Sequence, residues 1–242
     1  FQVGAGMGAG GAGHHRACLE STFCGERITM TATALQARYG EQAPALSLPD
    51  LPALDAMLSH RSVRHFLRDA LPAHTLETLV AAAQSAPTSS NLQTWSVIAV
   101  ESQERREQLA NLVGPQKHLA VAPLVLVWLA DLSRIERLGQ AQGRDPEGLH
   151  YLDTFLMGVI DAALAAQNAV VAAEAMGLGT VYVGGMRNQP EAVAQVLGTP
   201  PNVFPVFGLV VGHPDPARPA AVKPRLPQSA VLPREQYQVP AD

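Results

Sequence analysis

Two guanidinium groups, an imidazole and a hydroxyl fall within five consecutive residues, His60-Arg61-Ser62-Val63-Arg64. Such a cluster can hold a phosphate through charge-assisted, often bidentate hydrogen bonds. The same residues also suit a solvated connection between two helices. A second basic pair, Lys223 and Arg225, flanks Pro224. Proline favours extended backbone, in which residues two apart project to one side, so the pair reads as a basic pincer or as a charged surface loop. Ala86-Pro87-Thr88-Ser89-Ser90-Asn91-Leu92-Gln93 offers hydroxyls and amides. These can satisfy the edge of a planar heterocycle, or simply cap and turn the chain. Val181-Tyr182-Val183-Gly184-Gly185-Met186 passes from apolar residues into two glycines. Backbone can approach a flat ligand closely there, its N–H groups facing charge on a ring, although a tight turn ahead of Pro190 fits equally. Gln116, within Gly114-Pro115-Gln116-Lys117-His118, is a further polar candidate.

Positioning these residues requires alternating helices and strands. Leu54, Met57 and Leu58 have helical spacing, and Leu76, Leu79, Val80 and Ala83 share one face of a second helix. Trp95 to Val100 reads as a strand, followed by a helix from a Ser102 cap to a Gly114 stop and a buried strand from Pro123 to Ala130. From Leu149 to Met176 the chain is apolar on nearly every side, implying a helix buried around its whole circumference and stopped by Gly177-Leu178-Gly179. Asp161, Gln167, Asn168 and Glu174 interrupt it, which argues against a membrane span. Thr180 to Val183 is a short strand, a helix begins near Pro190 and ends at Gly198, and Val203 to Val211 makes a last strand. Beyond Gly212 frequent prolines imply an extended path with no closing helix.

The 242 residues are 47% hydrophobic with a net charge of -4, enough for a full core and without the basic excess of a nucleic-acid binder. Aromatic residues are 5% of the chain, so no stacking platform interleaves with the basic clusters. Cys18 and Cys24 are the only cysteines and lie in an unusual N-terminal segment, so a reducing, cytoplasmic compartment is expected. Residues 1–50, with a glycine and alanine run from Gly4 to Gly13, read as a disordered extension, Met30 being a candidate start. Two G-x-G-x-x-G matches within that run lack the strand and helix the dinucleotide fingerprint requires. His14, His15, Cys18 and Cys24 match no usual zinc spacing, and no metal is expected.

Taken in order, His-Arg-Ser-Val-Arg, Thr-Ser-Ser-Asn-Leu-Gln, Gly-Pro-Gln-Lys-His, Ala166-Gln167-Asn168, Gly-Leu-Gly-Thr-Val-Tyr-Val-Gly-Gly-Met-Arg and Lys-Pro-Arg-Leu-Pro resemble the nitroreductase family. The likeness is to its branch of NADPH-dependent, oxygen-insensitive nitroreductases and flavin reductases, and it runs from about Leu54 to Tyr237. It implies an α+β fold, a central mixed, mainly antiparallel sheet flanked by helices, in a homodimer with FMN sites built from both chains. Residues 51–242 would form that FMN-binding domain. His60, Arg61, Ser62, Arg64, Lys223 and Arg225 match segments that hold FMN in the family, chiefly around the ribityl phosphate. Thr88, Ser89 and Gln116 would approach the flavin edge. Val183, Gly184 and Gly185 would offer backbone groups near the reactive end of the ring, with Tyr182 packed close by.

The activity implied is a ping-pong hydride relay from NADPH or NADH through FMN to a nitroaromatic, quinone or flavin acceptor. The cofactor carries the chemistry and no protein acid or base is assigned. Arg64 would stabilise negative charge developing on the ring, and His60 and His65 would tune substrate binding or serve the structure. Members of this branch usually continue beyond Lys-Pro-Arg into a helical extension that wraps the partner and carries basic residues for the adenine nucleotide. The resemblance implies a domain lacking that extension. A flavin-binding protein without turnover and a flavin reductase of the same fold are the alternatives.

Overall fold

The computed structural model describes residues 33–44, 48–49, 51–114 and 116–239. Four strands, β1 (Trp95–Val100), β2 (Leu124–Asp131), β3 (Gly179–Val183) and β4 (Val203–Gly212), form a sheet in the order β1-β2-β4-β3. Every neighbouring pair is antiparallel. β2 is buried along its whole length, as a central strand covered on both faces must be. Its side chains alternate between two cores. Leu124, Leu126 and Trp128 face one, while Val125, Val127 and Leu129 face the other.

The helices are α1 (helical over the described residues 33–39), α2 (Pro52–Leu58), α3 (Thr75–Gln84), α4 (Gln103–Leu112), α5 (His118–Val121), α6 (Ser133–Ala141), α7 (Leu152–Ala175), α8 (Pro190–Leu197) and α9 (Gln228–Val231). α3 and α7 cover one face through Leu79, Ala83, Ala165, Ala166, Ala169 and Val170. α4, α5 and α8 cover the other through Leu109, Leu119 and Val193. Beyond β3 the segment after α2 extends the sheet edge: Ser62 forms a parallel bridge with Thr180 and Phe66 an antiparallel one with Pro214. The expected α+β arrangement, mainly antiparallel with a parallel addition, is therefore present.

Local signals set most boundaries. Ser102 caps α4 by accepting from the Arg105 N–H. α7 ends where Gly177 takes φ +78° and the Leu178 N–H reaches back to the Ala173 carbonyl at 2.9 Å. Pro190 stands in the first turn of α8 and Gly198, with φ +67°, terminates it.

Three expectations need correction. Residues 33–44 carry α1 and bury Leu35 and Arg38, so a disordered extension does not run to residue 50. The Gly4–Gly13 run, His14, His15, Cys18 and Cys24 lie outside the described residues. The proline-rich tail contains one short helix, α9, beginning immediately after Pro227, whose fixed φ is compatible with a helix start. Finally, α7 is not buried around its circumference. Gly158, Ala162 and Ala165 let one face lie close on the sheet, and a Cβ added at Gly158 would come within 3.1 Å of the Ala130 Cβ. Leu152, Leu156, Ile160 and Leu164, spaced by four, are exposed on another. Apolar composition states that both sides seek cover, but not that one chain supplies it.

Leu209 is fully buried at the centre of β4, facing α7. Leu209→Ala should lower unfolding free energy by about 2–5 kcal/mol, read as a reduced urea midpoint at unchanged slope.

Candidate active site

Main-chain hydrogen bonds lock His60–Arg64 to the sheet edge: the Val63 N–H donates to the Thr180 carbonyl and the Asp215 N–H to the His65 carbonyl, both at 2.9 Å. Val63 turns inward against Gly179, where an added Cβ would lie 2.8 Å from its Cγ2. Arg61 and Arg64 are left exposed. His60 anchors the segment to the end of α7, with Nδ1 2.7 Å from Glu174 Oε1. The Thr180 hydroxyl donates to the same oxygen at 3.0 Å. In this structure His60 is thus a brace, while Arg61 lines a small cavity with Ser59, Glu174 and Pro214.

Lys223-Pro224-Arg225 lies beside this segment because of Arg38, a residue absent from the sequence-derived candidates. Arg38 is 6% exposed. Its Nη2 donates to the carbonyls of Leu58 at 2.7 Å and His60 at 3.1 Å, and its Nη1 to that of Lys223 at 3.4 Å. In return its carbonyl accepts from the Arg225 N–H at 2.8 Å. Burial, and then the neighbouring Arg225 charge, hold the Arg38 pKa below the usual arginine value. The pincer itself is folded: Arg225 Nη1 turns back to the carbonyls of Lys223 and Pro224, each at 3.1 Å.

Gly185 packs against the turn that carries Gln116. A Cβ at Gly185 would stand 2.6 Å from the Val113 carbonyl oxygen and 3.4 Å from Gln116 Nε2, so only glycine allows this approach. Val183 is buried beneath it. Gly184 leaves its backbone exposed, with the Arg187 guanidinium 3.1 Å from where its Cβ would be. Tyr182 points to the opposite face of the sheet, its ring perpendicular to that of Phe207 at 5.1 Å and its hydroxyl 3.4 Å from Gln167 Oε1. Burial and then the Glu174 carboxylate push its phenol pKa up, so it remains protonated at neutral pH. A cavity of about 410 Å³ is lined by Arg64, His65, Lys117, His118 and Arg218. Burial, then Arg64 and His65, lower the His118 pKa.

Thr88–Gln93 depends on Asp161 of α7, 2% exposed. This carboxylate accepts four hydrogen bonds: from the Thr88 hydroxyl at 2.6 Å, the Ser89 N–H at 3.1 Å, the Thr94 N–H at 3.1 Å and the Thr94 hydroxyl at 2.9 Å. The loop needs restraint, since Ser90, Asn91 and Gln93 take φ of 50°, 55° and 53°. Such left-handed conformations cost Ser90 and Gln93 about 1–2 kcal/mol each, and Asn91, which tolerates them, less. Thr88 and Ser89 share a cleft with Leu156, Ile160 and Leu164 of the exposed α7 face. Among the described residues, no hydrogen bond joins Thr88 or Ser89 to Gln116 or to either basic segment. Asp161 and Glu174, which tie the two groups to α7, stand thirteen residues apart, about 20 Å along a helix axis.

Burial alone would raise the Asp161 pKa, but the donors of Thr88, Ser89 and Thr94 more than offset it and the net shift is downward. A carboxylate depressed in the folded state contributes stability that is present above its unfolded value, near ~3.9, and is lost as pH falls through the folded one. Asp161→Ala should cost about 2–4 kcal/mol at pH 7, because buried donors lose their acceptor. In urea titrations the difference from the parent should hold constant down to about pH 5 and shrink below about pH 4.

The nitroreductase family model matches residues 57–213. That stretch contains His60–Arg64, Thr88–Gln93, Gln116 and Val183–Gly185, and excludes Arg38 and Lys223–Arg225. The chain is 43% identical over 190 residues to an FMN reductase (NADPH) of Bacillus subtilis, covering 78% of this chain and 76% of that one. It is 40% identical over 188 residues to the oxygen-insensitive NADPH nitroreductase of Salmonella typhimurium, covering 77% and 75%. The solved structure of the NfrA1 nitroreductase of B. subtilis superposes with a TM-score of 0.75 at 42% identity, covering 78% of this chain and 76% of that one. By family match, sequence identity and fold alike, the chain belongs to the nitroreductase family.

Proposed function

We propose that this chain is an FMN-dependent oxidoreductase that passes hydride from NAD(P)H to a nitroaromatic, quinone or flavin acceptor, acting as a homodimer. The observation that carries the reading is the convergence of two basic segments, His60–Arg64 and Lys223–Arg225, on the buried Arg38. That donor set fits a phosphate monoester: Arg61, Ser62, Lys223 and Arg225 combine guanidinium, hydroxyl and ammonium donors. Gly184, whose backbone is exposed, leaves a surface without a side chain beside the turn that carries Gln116, which fits a flat ring laid against backbone. The names of relatives at 40% identity and above, an FMN reductase (NADPH) and an NADPH nitroreductase, support the same cofactor and donor.

When bound, FMN supplies the two-electron chemistry, accepting hydride from the nicotinamide and delivering it to the acceptor. Protein groups bind and orient. Arg64 would contribute positive potential to the bound ring, and the Gly184 and Gly185 amides would serve as neutral donors. Gln116 would offer an amide to the heterocycle, Tyr182 fixes the strand behind it by packing on Phe207, and His60 holds the phosphate-binding segment to α7 through Glu174. Thr88 and Ser89 sit about 20 Å from that end of α7 by helix rise, but beside its exposed apolar stripe. Pairing two α7 stripes would cover Leu152, Leu156, Ile160 and Leu164 and bring one protomer's Thr88–Gln93 loop to its partner's flavin.

Two outcomes are expected. In anaerobic stopped-flow, FMN-loaded protein should bleach near ~450 nm on mixing with NADPH or NADH and recover on addition of a quinone or nitroaromatic; binding without bleaching would leave a flavin binder lacking turnover. Sedimentation velocity should show a dimer, and Ile160→Glu should shift it to monomer, because an unpaired charge buried at an apolar interface costs several kcal/mol. A monomeric parent would sink the two-chain site.

A further inference from the structure

Resting on the flavin reading above, we propose that Arg38 is a positioning residue for the phosphate of the flavin nucleotide, setting the spacing of two basic segments without touching the ligand. Both of its Nη atoms are directed at main-chain carbonyls, those of Leu58 and His60 on one side and Lys223 on the other. The guanidinium fork thereby joins carbonyls 22 and 185 residues further along the chain. Planar, charged and rich in donors, it suits such a bridge better than lysine, whose ammonium cannot address three carbonyls in one plane.

The tail depends on this bridge. Among the described residues, the hydrogen bonds that tie residues 219–227 to the body of the protein are those of Arg38: its Nη1 to the Lys223 carbonyl and its own carbonyl to the Arg225 N–H. Lys223, Pro224, Arg225 and Leu226 are exposed and irregular, so little packing replaces those bonds. Without them Lys223 and Arg225 would sample many positions, and a bound phosphate would have to order them at entropic cost.

Electrostatics support the geometry. Arg38 and Arg225 repel, as the lowering of the Arg38 pKa by Arg225 indicates. Glu174, the acid that partly compensates Arg38, already accepts from Thr180 and pairs with His60. Two cations held together with their nearby acid engaged elsewhere favour an incoming anion. α1 lies before the stretch matched by the family model, residues 57–213, and Lys223–Arg225 lies after it, so the brace joins the two flanks of the shared domain.

The test compares FMN with riboflavin, which carries the same ring without the phosphate, by fluorescence titration of flavin-free protein. Arg38→Met and Arg38→Lys should each weaken FMN binding at least tenfold, about 1.4 kcal/mol, while riboflavin affinity moves less than about threefold. Arg106→Met is the stability control. Arg106 is equally buried and donates to the Glu101 and Pro123 carbonyls elsewhere in the fold, so its loss should lower Tm while preserving the FMN to riboflavin ratio. Should Arg38→Met fail to fold, Arg38→Lys carries the comparison alone. A ratio unchanged in the Arg38 variants would overturn the inference and leave the flavin reading intact. A parent protein that binds neither flavin would overturn both.

Discussion

The carboxylate of Asp161 sits on an otherwise apolar helix, and the loop facing it is built around the need to make that burial tolerable. Removing an ion from water costs several kcal/mol unless its lone pairs are filled. Four donors within 3.1 Å fill them. Hydrogen bonds to a charged group contribute about 1.5–3 kcal/mol each, more than the strain of any one left-handed residue in the loop. Ser90 and Gln93 therefore hold conformations that their own backbones disfavour, while Asn91 tolerates its own. Remove the carboxylate and the loop has no reason to keep that path, so the position of Thr88 and Ser89 is a consequence of α7.

The same helix fixes the other half of the candidate site. Glu174, near its end, receives His60 and Thr180 and so registers the His60–Arg64 segment against β3. α7 thus acts as a ruler, with a polar anchor at Asp161 and another at Glu174, and its small side chains let it lie close enough to the sheet for both anchors to reach their partners. Arg38 completes the arrangement from outside this frame, linking segments that the sheet alone would leave apart.

What the sequence disclosed follows from the range over which each signal acts. β1 could be bounded to the residue because its apolar stretch is fixed locally. Gly177 and Gly198 announced helix ends because left-handed caps demand glycine. The basic segments and the Gly184–Gly185 turn were visible as residue types, and their order supplied the family. Arg38 was invisible because it works through main-chain carbonyls far away in sequence, and because the glycine-rich run before it obscured a helix of two turns. Asp161 read as an interruption in an apolar stretch: its four donors converge only in three dimensions. Asn91 tolerates a positive φ by residue type, but nothing in Ser90 or Gln93 announces one, since the constraint there comes from the carboxylate opposite.

The exposed stripe of α7 has a thermodynamic consequence. If the flavin site uses Thr88–Gln93 from one protomer and the basic segments of the other, binding and association are linked, and each must strengthen the other by the same factor. The apolar face supplies a driving force for pairing, about 25 cal/mol for each Å² of apolar surface covered. Burial of the stripe would also fix one wall of the cleft beside Thr88 and Ser89, limiting how much water reaches a ring bound there. A dry, shaped edge strengthens the electrostatic contribution of Arg64 and the backbone amides, because their field is less screened. On this account the same apolar residues that would hold two chains together would also raise the effective strength of the groups proposed to face the cofactor.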